Sequence, residues 1–485
     1  MIHPLAGLLV PELWWDAKAG FAPLEALIED ALELGVGGFL IANGPAEAVT
    51  ALTRELRRRS AEVPLLGAEV EAGAGAAFSG TTPLPPLGAL GALHDATVFR
   101  RAALLTAREL QRMGLNWALS PVADLAGNAA NPFVGARAAG ADAQRVAEWL
   151  VEWIDACQGE GVLACARDFP GAGRATRDPW RDAPVVDADA ATLWADDLIP
   201  YRGAIDAGVA SVVAAHVAYP GMDRSGVPAS RSRPLLTDFL RRELRFDGLI
   251  VCDRLGSEGL TRGLTEGDAA VEAVRAGCDL LLAPRDLGGV LEALERANDA
   301  GALDLEALEA SRQRRRFWAS WAQPRAWREP TLDDVLWARQ VADTVVHPVR
   351  GIVPAIGPVV DLVLVDDVGA ASWAGAPCAS FAATLTALGL EARWVDGPTD
   401  AGRGAVVLVV LGGPGLGRGA AQLSAAALAR LAEVAAAVRT AGRTPLAVCF
   451  APPAVAAAVP TEIGSVVCAW SADRAMQEGA ARRLA

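Results

Sequence analysis

Short apolar runs alternate with amphipathic helical patterns through roughly the first three hundred residues, and this alternation constrains the fold most strongly. Eight runs have the length and composition of buried strands: residues 5–10, 38–42, 65–70, 115–121, 162–166, 211–217, 249–253 and 280–284. Helical patterns follow them over residues 24–34, 46–62, 96–113, 143–158, 193–207, 234–243, 268–276 and 290–297. Eight successive strand–helix pairs predict an α/β fold of the (β/α)8 barrel type, because each crossover helix makes consecutive strands parallel.

A second, shorter alternation begins near residue 358 and predicts a compact α/β sandwich. Its strands are expected at residues 359–365, 393–395, 406–411, 446–450 and 466–470, with helices at 381–388 and 421–441. We therefore predict a barrel over residues 1–303, a helical linker over 304–357 and a smaller α/β sandwich domain over 358–485. The length of 485 residues agrees with two cores, since single cores rarely grow beyond about 250 to 300 residues.

Charge and composition exclude several classes of function. The net charge of −14 argues against nucleic acid or an anionic membrane as a partner, because both require basic surface. Neither a membrane-spanning apolar stretch nor a secretory signal is evident, so we expect a cytoplasmic protein. The seven cysteines form no C-x-x-C pair and no two histidines share metal-ligand spacing, so we expect no metal and no cofactor. Lys18, the sole lysine, lies outside any predicted strand end, which excludes Schiff-base chemistry.

One predicted strand delivers a carboxylate to the carboxyl end of the barrel. The apolar run Gly248-Leu-Ile-Val-Cys-Asp253 ends in Asp253, and barrel enzymes keep their chemistry at that end of the strands. Taken alone, the residue is better explained as an aspartate that caps the following helix. The surrounding sequence favours the catalytic interpretation.

The segments Leu244-Arg-Phe-Asp-Gly-Leu-Ile-Val-Cys-Asp-Arg-Leu255 and Arg167-Asp-Phe-Pro-Gly-Ala-Gly173 resemble glycoside hydrolase family 3, most closely its β-N-acetylglucosaminidase branch. The resemblance implies a small carbohydrate substrate and a retaining mechanism in which Asp253 is the nucleophile. It also implies a second α/β domain like the predicted one. The next residue is Arg254, where the family often has another aspartate, and we expect it to hold Asp253 ionised.

Retaining glycosidases also need an acid that protonates the leaving oxygen. In the branch that this chain resembles, a loop carries Asp-Ser-His and the histidine is the acid/base. The matching residues are Asp178 and Trp180, and tryptophan has no proton to transfer near neutral pH. We therefore predict Asp178 as the acid/base, with Asp182 as an alternative, and Trp180 as a ring that stacks on the sugar.

The sugar-binding positions that the resemblance implies are altered as well. The family's Lys-His pair is Arg167-Asp168, and its Asp-x-Glu element begins with the longer Glu69. Asn131-Pro-Phe-Val-Gly-Ala-Arg137 follows the family pattern, which implies that Arg137 contacts the sugar. His216 is predicted to support the site rather than to transfer protons, because that segment recurs in members whose acid lies elsewhere.

Two hypotheses about function follow. The first is a retaining β-glycosidase of the β-N-acetylhexosaminidase type that hydrolyses O-glycosyl bonds, with impaired or altered acid/base chemistry. The second is a catalytically inactive homologue that binds a carbohydrate or a protein partner. The second is favoured by the residues that replace family side chains, which are Ala74, Ala77, Asp168, Ala172 and Trp180.

Overall fold

The computed structural model describes residues 3–322, 329–368, 378–397, 404–415 and 420–485. These residues form two compact units. The first contains the described residues within Met1–Thr82, Asp95–Asn128 and Ala138–Thr331. The second contains those within Pro83–His94, Ala129–Arg137 and Leu332–Ala485.

The first unit is a parallel barrel, as the alternation predicts. Its strands are β1 (Leu9–Val10, continuing as Glu12–Leu13), β2 (Gly38–Ile41), β3 (Leu65–Ala68), β4 (Trp117–Ala118), β5 (Cys165–Phe169), β6 (Ser211–Ala214), β7 (Leu249–Cys252) and β8 (Leu280–Leu282). The ring closes at β1, whose first part pairs with β8 and whose second part pairs with β2. Parallel bridges such as that between Trp117 and Leu163 join β4 to the segment of β5.

Crossover helices surround this ring. They are α1 (Glu25–Leu34), α2 (Ala46–Arg59), α3 (Ala96–Arg112), α4 (Ala143–Gly159), α5 (Ile199–Asp206), α6 (Pro234–Glu243, with π-type hydrogen bonds), α7 (Glu266–Ala276) and α8 (Leu287–Asp299). Shorter helices of this unit are Ala190–Ala195 and Glu258–Thr261, whereas Leu87–Gly91 belongs to the second unit. Several begin at capping side chains, since Asp95, Asp142 and Asp286 each accept a backbone N–H of the first turn.

Besides elements whose ends differ by a few residues, the observed barrel differs from the predicted one at three places. Residues 6–8 form a short 3-10 turn, so β1 starts at Leu9 and continues past Pro11. The fifth strand is Cys165–Phe169 rather than 162–166, which brings Arg167 and Asp168 into the strand itself. The helix predicted over 193–207 is divided before Pro200, because proline fits the first turn of a helix but not its interior.

The second unit is built around one six-stranded sheet. Its strands are β9 (His347–Arg350), β10 (Val359–Asp366), β11 (Glu391–Trp394), β12 (Ala405–Leu411), β13 (Pro445–Phe450) and β14 (Ser465–Cys468), in the order β9-β14-β13-β12-β10-β11. All neighbours are parallel except β9 and β14. Apolar side chains fill both faces, against helices Leu332–Val345, Ala379–Ala387, Ala425–Thr440, Pro453–Ala457 and Arg474–Leu484. This arrangement is the predicted α/β sandwich.

The segment predicted as a helical linker over 304–357 contributes to both units. Helix α9 (Leu305–Trp321) packs on the first unit, where Ser311 Oγ donates to Asp279 at 2.6 Å and Arg315 pairs with Glu62. Strand β9 instead pairs with β14, which covers an otherwise open sheet edge. The domain limits at 303 and 357 stay a prediction. In the described part of the chain, no helix combines the length and apolar character needed to cross a membrane.

The apolar packing of β12 generates a stability prediction. Leu408→Ala removes a fully buried side chain from a central strand, so we expect the free energy of unfolding to fall by about 2 to 5 kcal/mol. Leu388→Ala is the control, because Leu388 is 43% exposed and its truncation should cost less than about 0.5 kcal/mol. Urea unfolding curves measure both, and similar shifts in the two variants would contradict the packing described here.

Candidate active site at the barrel mouth

Arg167 connects the carboxylates that the sequence predicts at the strand ends. Its Nη1 lies 2.6 Å from Glu69 Oε1, at the end of β3, and its Nη2 lies 3.4 Å from Asp253 Oδ2, at the end of β7. Glu71 Oε1 is 3.5 Å from the same Nη1. Arg167 lies in β5, which comes between β3 and β7 in the chain. Because all strands of the barrel are parallel, the carboxyl ends of these three strands lie at the same end of the barrel, which we call its mouth. The predicted nucleophile, cation and sugar-binding acid are therefore in contact.

The sequence led us to expect the Arg254 side chain beside Asp253, but its guanidinium contacts other carboxylates. Its backbone N–H donates to Asp253 Oδ1 at 2.8 Å, but its guanidinium pairs with Glu69 Oε2 at 3.0 Å and with Glu12. Successive side chains of an extended chain point to opposite sides, so Arg254 and Asp253 diverge. The guanidinium that contacts Asp253 is that of Arg167. We call Glu12, Glu69, Arg167, Asp253 and Arg254 the ion-pair network.

The network buries Arg167 more completely than it buries Asp253 and Glu69. The Arg167 side chain is 2% exposed, whereas those of Asp253 and Glu69 are 14% and 30% exposed. Burial alone would raise the pKa of Glu69, but the charges of Arg167 and Arg254 outweigh it and hold the pKa well below its ordinary value. A ligand entering the mouth therefore meets ionised carboxylate oxygens, which accept hydrogen bonds from hydroxyl groups.

The loop that carries Asp178 and Trp180 lies beside the network. The Trp180 ring centre is 5.7 Å from the Arg254 Cζ, and 40% of Trp180 is exposed. Asp178 is buried, its Oδ1 accepts the Trp180 N–H at 3.0 Å, and its buried Oδ2 has no hydrogen-bond partner among the described residues. The Gly259 N–H donates to the Pro179 carbonyl at 2.8 Å, which fastens the loop to the segment after β7.

The alternative acid, Asp182, is placed differently. The Ala183 N–H donates to its carboxylate at 2.8 Å and the Arg177 guanidinium pairs with it at 2.7 Å. The hydrogen bond from Ala183 and, to a smaller extent, the contact with Arg177 hold the pKa of Asp182 below its ordinary value. A general acid needs a raised pKa, so this environment disfavours Asp182 in that role.

His216 is a buried, neutral histidine that fixes the main chain next to Asp253. Its Nε2 lies 3.2 Å from the Arg254 carbonyl oxygen and its Nδ1 lies 2.8 Å from Ser230 Oγ. A carbonyl only accepts, so Nε2 carries the proton and Nδ1 accepts from the serine hydroxyl. Burial lowers the pKa of His216 despite the opposing charge of Asp253. Asp168, also buried, has a φ of +76° just after Arg167.

Arg137 belongs to the second unit, whereas the ion-pair network belongs to the first. Its local structure explains the Asn-Pro-x-x-Gly-x-Arg pattern, because Asn131 Oδ1 accepts the N–H groups of Phe133 and Val134 at 2.9 and 2.8 Å. These bonds form the turn that leads into Gly135–Arg137. A sugar contact by Arg137 stays a prediction.

Glu12 is the residue of the network that sequence reasoning missed. It lies in the continuation of β1 beyond Pro11, and its Oε1 is buried with no hydrogen-bond partner in the described residues. The available signal was a single carboxylate inside the otherwise apolar segment from Leu8 to Leu13. A carboxylate at the carboxyl end of a barrel strand is a candidate site residue. The predicted strand ended at residue 10 and therefore did not include Glu12.

Residues 16–315 match the family model described as "Glycosyl hydrolase family 3 N terminal domain". The chain therefore belongs to glycosyl hydrolase family 3.

Relatives within the family support this assignment. A β-N-acetylglucosaminidase/β-glucosidase of Cellulomonas fimi is 35% identical over 265 residues, which cover 52% of this chain and 47% of the relative. This chain thus spans about half the length of that protein. A β-hexosaminidase of Chromobacterium violaceum is 32% identical over 57% of this chain and 80% of its own length. The solved structure of a family 3 β-N-acetylglucosaminidase from Paenibacillus sp. str. FPU-7 shares the fold with a TM-score of 0.82, 22% identity and coverage of 99% and 95% of the two chains.

The contact between Gly259 and the Asp178 loop generates a prediction. A Cβ at Gly259 would lie 2.7 Å from the His216 carbonyl oxygen and 2.9 Å from that of Pro179. We expect Gly259→Ala to displace the loop and to accelerate amide hydrogen exchange in residues 177–182. Gly127→Ala is the control, because a Cβ there meets no atom within 4 Å. Unchanged exchange in Gly259→Ala would show that the loop does not depend on this contact.

Proposed function

We propose that the protein is a retaining β-glycosidase of the β-N-acetylhexosaminidase type, with Asp253 as its nucleophile. The position of Asp253 is the observation that carries the proposal. Its Oδ1 is held by the Arg254 N–H, and its Oδ2 lies 3.4 Å from the Arg167 guanidinium at the end of a barrel strand. Both contacts come from hydrogen-bond donors, which a carboxylate accepts, and the carboxylate is the form that attacks.

The chemistry requires two carboxyl groups in different states. Asp253 attacks the anomeric carbon, the bond from that carbon to the leaving oxygen breaks, and a glycosyl ester forms on Asp253. Water then attacks the same carbon and releases the sugar and the free carboxylate. In the first step the leaving oxygen takes a proton from an acid, and in the second step that acid's conjugate base removes a proton from water.

We propose Asp178 as this acid/base. Its Oδ2 is buried and accepts no hydrogen bond from a described protein donor, so no such donor competes with a substrate for this oxygen. Its loop reaches the network through the ring of Trp180. Trp180 itself cannot transfer a proton, and its exposed face suits stacking on a sugar.

The proposed substrate is a small carbohydrate with a β-linked N-acetylglucosamine residue, in keeping with the names of the relatives in Cellulomonas fimi and Chromobacterium violaceum. Glu69 and Arg167 would bind its hydroxyl groups, with Asp168, His216 and Arg137 as further predicted contributors. A cytoplasmic location and the absence of a nucleic-acid partner stay predictions.

A specific observation favours the second candidate, a carbohydrate-binding homologue without catalysis. Trp180 occupies the family's histidine position, and Glu69 is tied to both arginines of the network. Loss of a general acid typically reduces a rate by about 10² to 10⁴, which leaves weak turnover where the nucleophile is intact. The two candidates therefore differ for substrates whose leaving group needs no proton.

The first test uses dinitrophenyl β-N-acetylglucosaminide, because dinitrophenolate leaves without protonation. We expect steady release of dinitrophenol by the native protein and only the buffer rate with Asp253→Asn, since an amide cannot form the glycosyl ester. Asp299→Asn, in the last turn of α8, is the control and should keep the native rate. Thermal unfolding of all three proteins checks that they are folded.

Equal background release by native protein and Asp253→Asn would overturn the glycosidase proposal. Calorimetric titration with N-acetylglucosamine then decides whether the barrel mouth still binds the sugar, as the second candidate requires.

The second test concerns the acid. Trp180→His places an imidazole where the family's acid stands, two residues after Asp178. We expect turnover of N,N′-diacetylchitobiose to rise, because an imidazole titrates nearer neutral pH than the Asp178 carboxyl group that it supplements, while dinitrophenyl glycoside turnover changes little. Trp180→Phe is the control, because it keeps an aromatic ring without a transferable proton. Equal disaccharide rates in the two variants would contradict the role proposed for this position.

A further inference from the structure

A second concave site lies at the opposite end of the barrel from Asp253. It is a cavity of about 300 Å³ between α6, α7 and α9, and its walls include Arg241, Arg275, Asp279 and Arg314. Asp279 immediately precedes β8, so the cavity is at the amino-terminal ends of the strands. The network at the mouth lies at their carboxyl ends.

The buried carboxylate in this cavity has its hydrogen-bonding capacity filled. Asp279 Oδ2 accepts from Arg241 Nη2 at 2.7 Å and from the Ile250 N–H at 2.8 Å. Its Oδ1 accepts from Ser311 Oγ at 2.6 Å and pairs with Arg314 Nη2 at 3.3 Å. A carboxylate has about four acceptor sites, so Asp279 has no capacity left for a ligand.

The other acid of the cavity wall, Asp304, caps α9. Its Oδ1 accepts the N–H groups of Glu306 and Ala307 at 2.9 and 3.1 Å. Of the two carboxylates, Asp279 therefore offers no free acceptor to a cation, and Asp304 is committed at Oδ1.

The arginines of the cavity, by contrast, keep unused donors. Arg314 contacts Asp279 through Nη2, and its buried Nε–H has no partner among the described residues. The Arg275 side chain makes no hydrogen bond or ion pair with any residue that the structure describes. A guanidinium has five N–H donors, so these two side chains leave most of theirs available to a bound acceptor.

The residues of the cavity wall have a net positive charge, whereas the whole chain has a net negative charge. The cavity wall contains five arginines and two aspartates, whereas the whole chain has a net charge of −14. Of the five, Arg233 and Arg242 on the rim share Asp238 at 3.6 and 2.8 Å. Planar guanidinium groups recognise phosphoryl oxygens in a bidentate manner, which an ammonium group cannot do.

We propose that this cavity binds a phosphoryl group through Arg275 and Arg314. Asp279 would hold the Arg314 side chain in place, and Arg241 would hold Asp279. Inorganic phosphate compounds and a phosphorylated metabolite present the same chemistry to these side chains. The site is independent of the glycosidase proposal, because none of its residues belongs to the ion-pair network.

Calorimetric titration of the full chain at low salt tests the site with three probes: inorganic phosphate, pyrophosphate and glucose 6-phosphate. We expect saturable one-site binding of at least one probe and a roughly tenfold higher Kd in Arg275→Gln, because one charge-assisted contact is lost. Arg275 is exposed and forms no hydrogen bond or ion pair with the described residues, so this variant should fold normally. Arg296→Gln, also exposed and on α8, is the matched control and should bind like the native protein.

The relative affinities of the three probes distinguish a phosphorylated metabolite from an inorganic anion, and two results would overturn the proposal. Glucose 6-phosphate binding at least tenfold tighter than either inorganic probe indicates a phosphorylated metabolite, whereas equal or tighter binding of the inorganic probes indicates an inorganic anion. Absence of saturable binding of all three probes overturns the proposal. So does a Kd that Arg275→Gln leaves unchanged, or that Arg296→Gln raises equally, since the binding would then be general attraction to surface charge.

Discussion

The charged layer at the top of the barrel is the constraint on which the site depends. Glu12, Glu69, Arg167 and Asp253 come from β1, β3, β5 and β7 or directly follow them. Alternate strands of such a barrel contribute side chains to the same interior layer. The layers below contain apolar side chains such as Val10, Leu65, Cys165 and Val251. The top layer replaces them with ions, which must be paired because isolated buried charges are costly.

The same pairing limits what the site can do. Arg167 is buried and contacts both Glu69 and Asp253, so removal of its charge leaves Asp253 without a guanidinium partner. Such losses cost about 3 to 5 kcal/mol in other proteins. The network therefore places a guanidinium against Asp253, and its two arginines also occupy the oxygens of Glu69. A sugar must compete for those oxygens, and Trp180 adds an aromatic surface in place of a proton donor.

The strand ends explain why part of this site was visible in the sequence. Asp253 and Glu69 each terminate an apolar run, and a parallel strand always delivers its last side chain to the same end of the barrel. Arg167 was recognised from its motif, although the strand that contains it was predicted three residues too early. Glu12 was missed because the predicted strand ended at Val10, whereas the proline that follows interrupts the ladder without ending the extended chain.

The sequence by itself determined the (β/α)8 barrel, the α/β sandwich and the family, because these depend on hydrophobic periodicity and local motifs that do not need three-dimensional contacts. Only the tertiary structure decided which charges pair. Arg254 follows Asp253 in the chain yet its guanidinium binds Glu12 and Glu69, since neighbouring side chains diverge while residues far apart in sequence meet across the barrel. The basic cavity around Asp279 arose in the same way, from helices that are separate in sequence and adjacent in space.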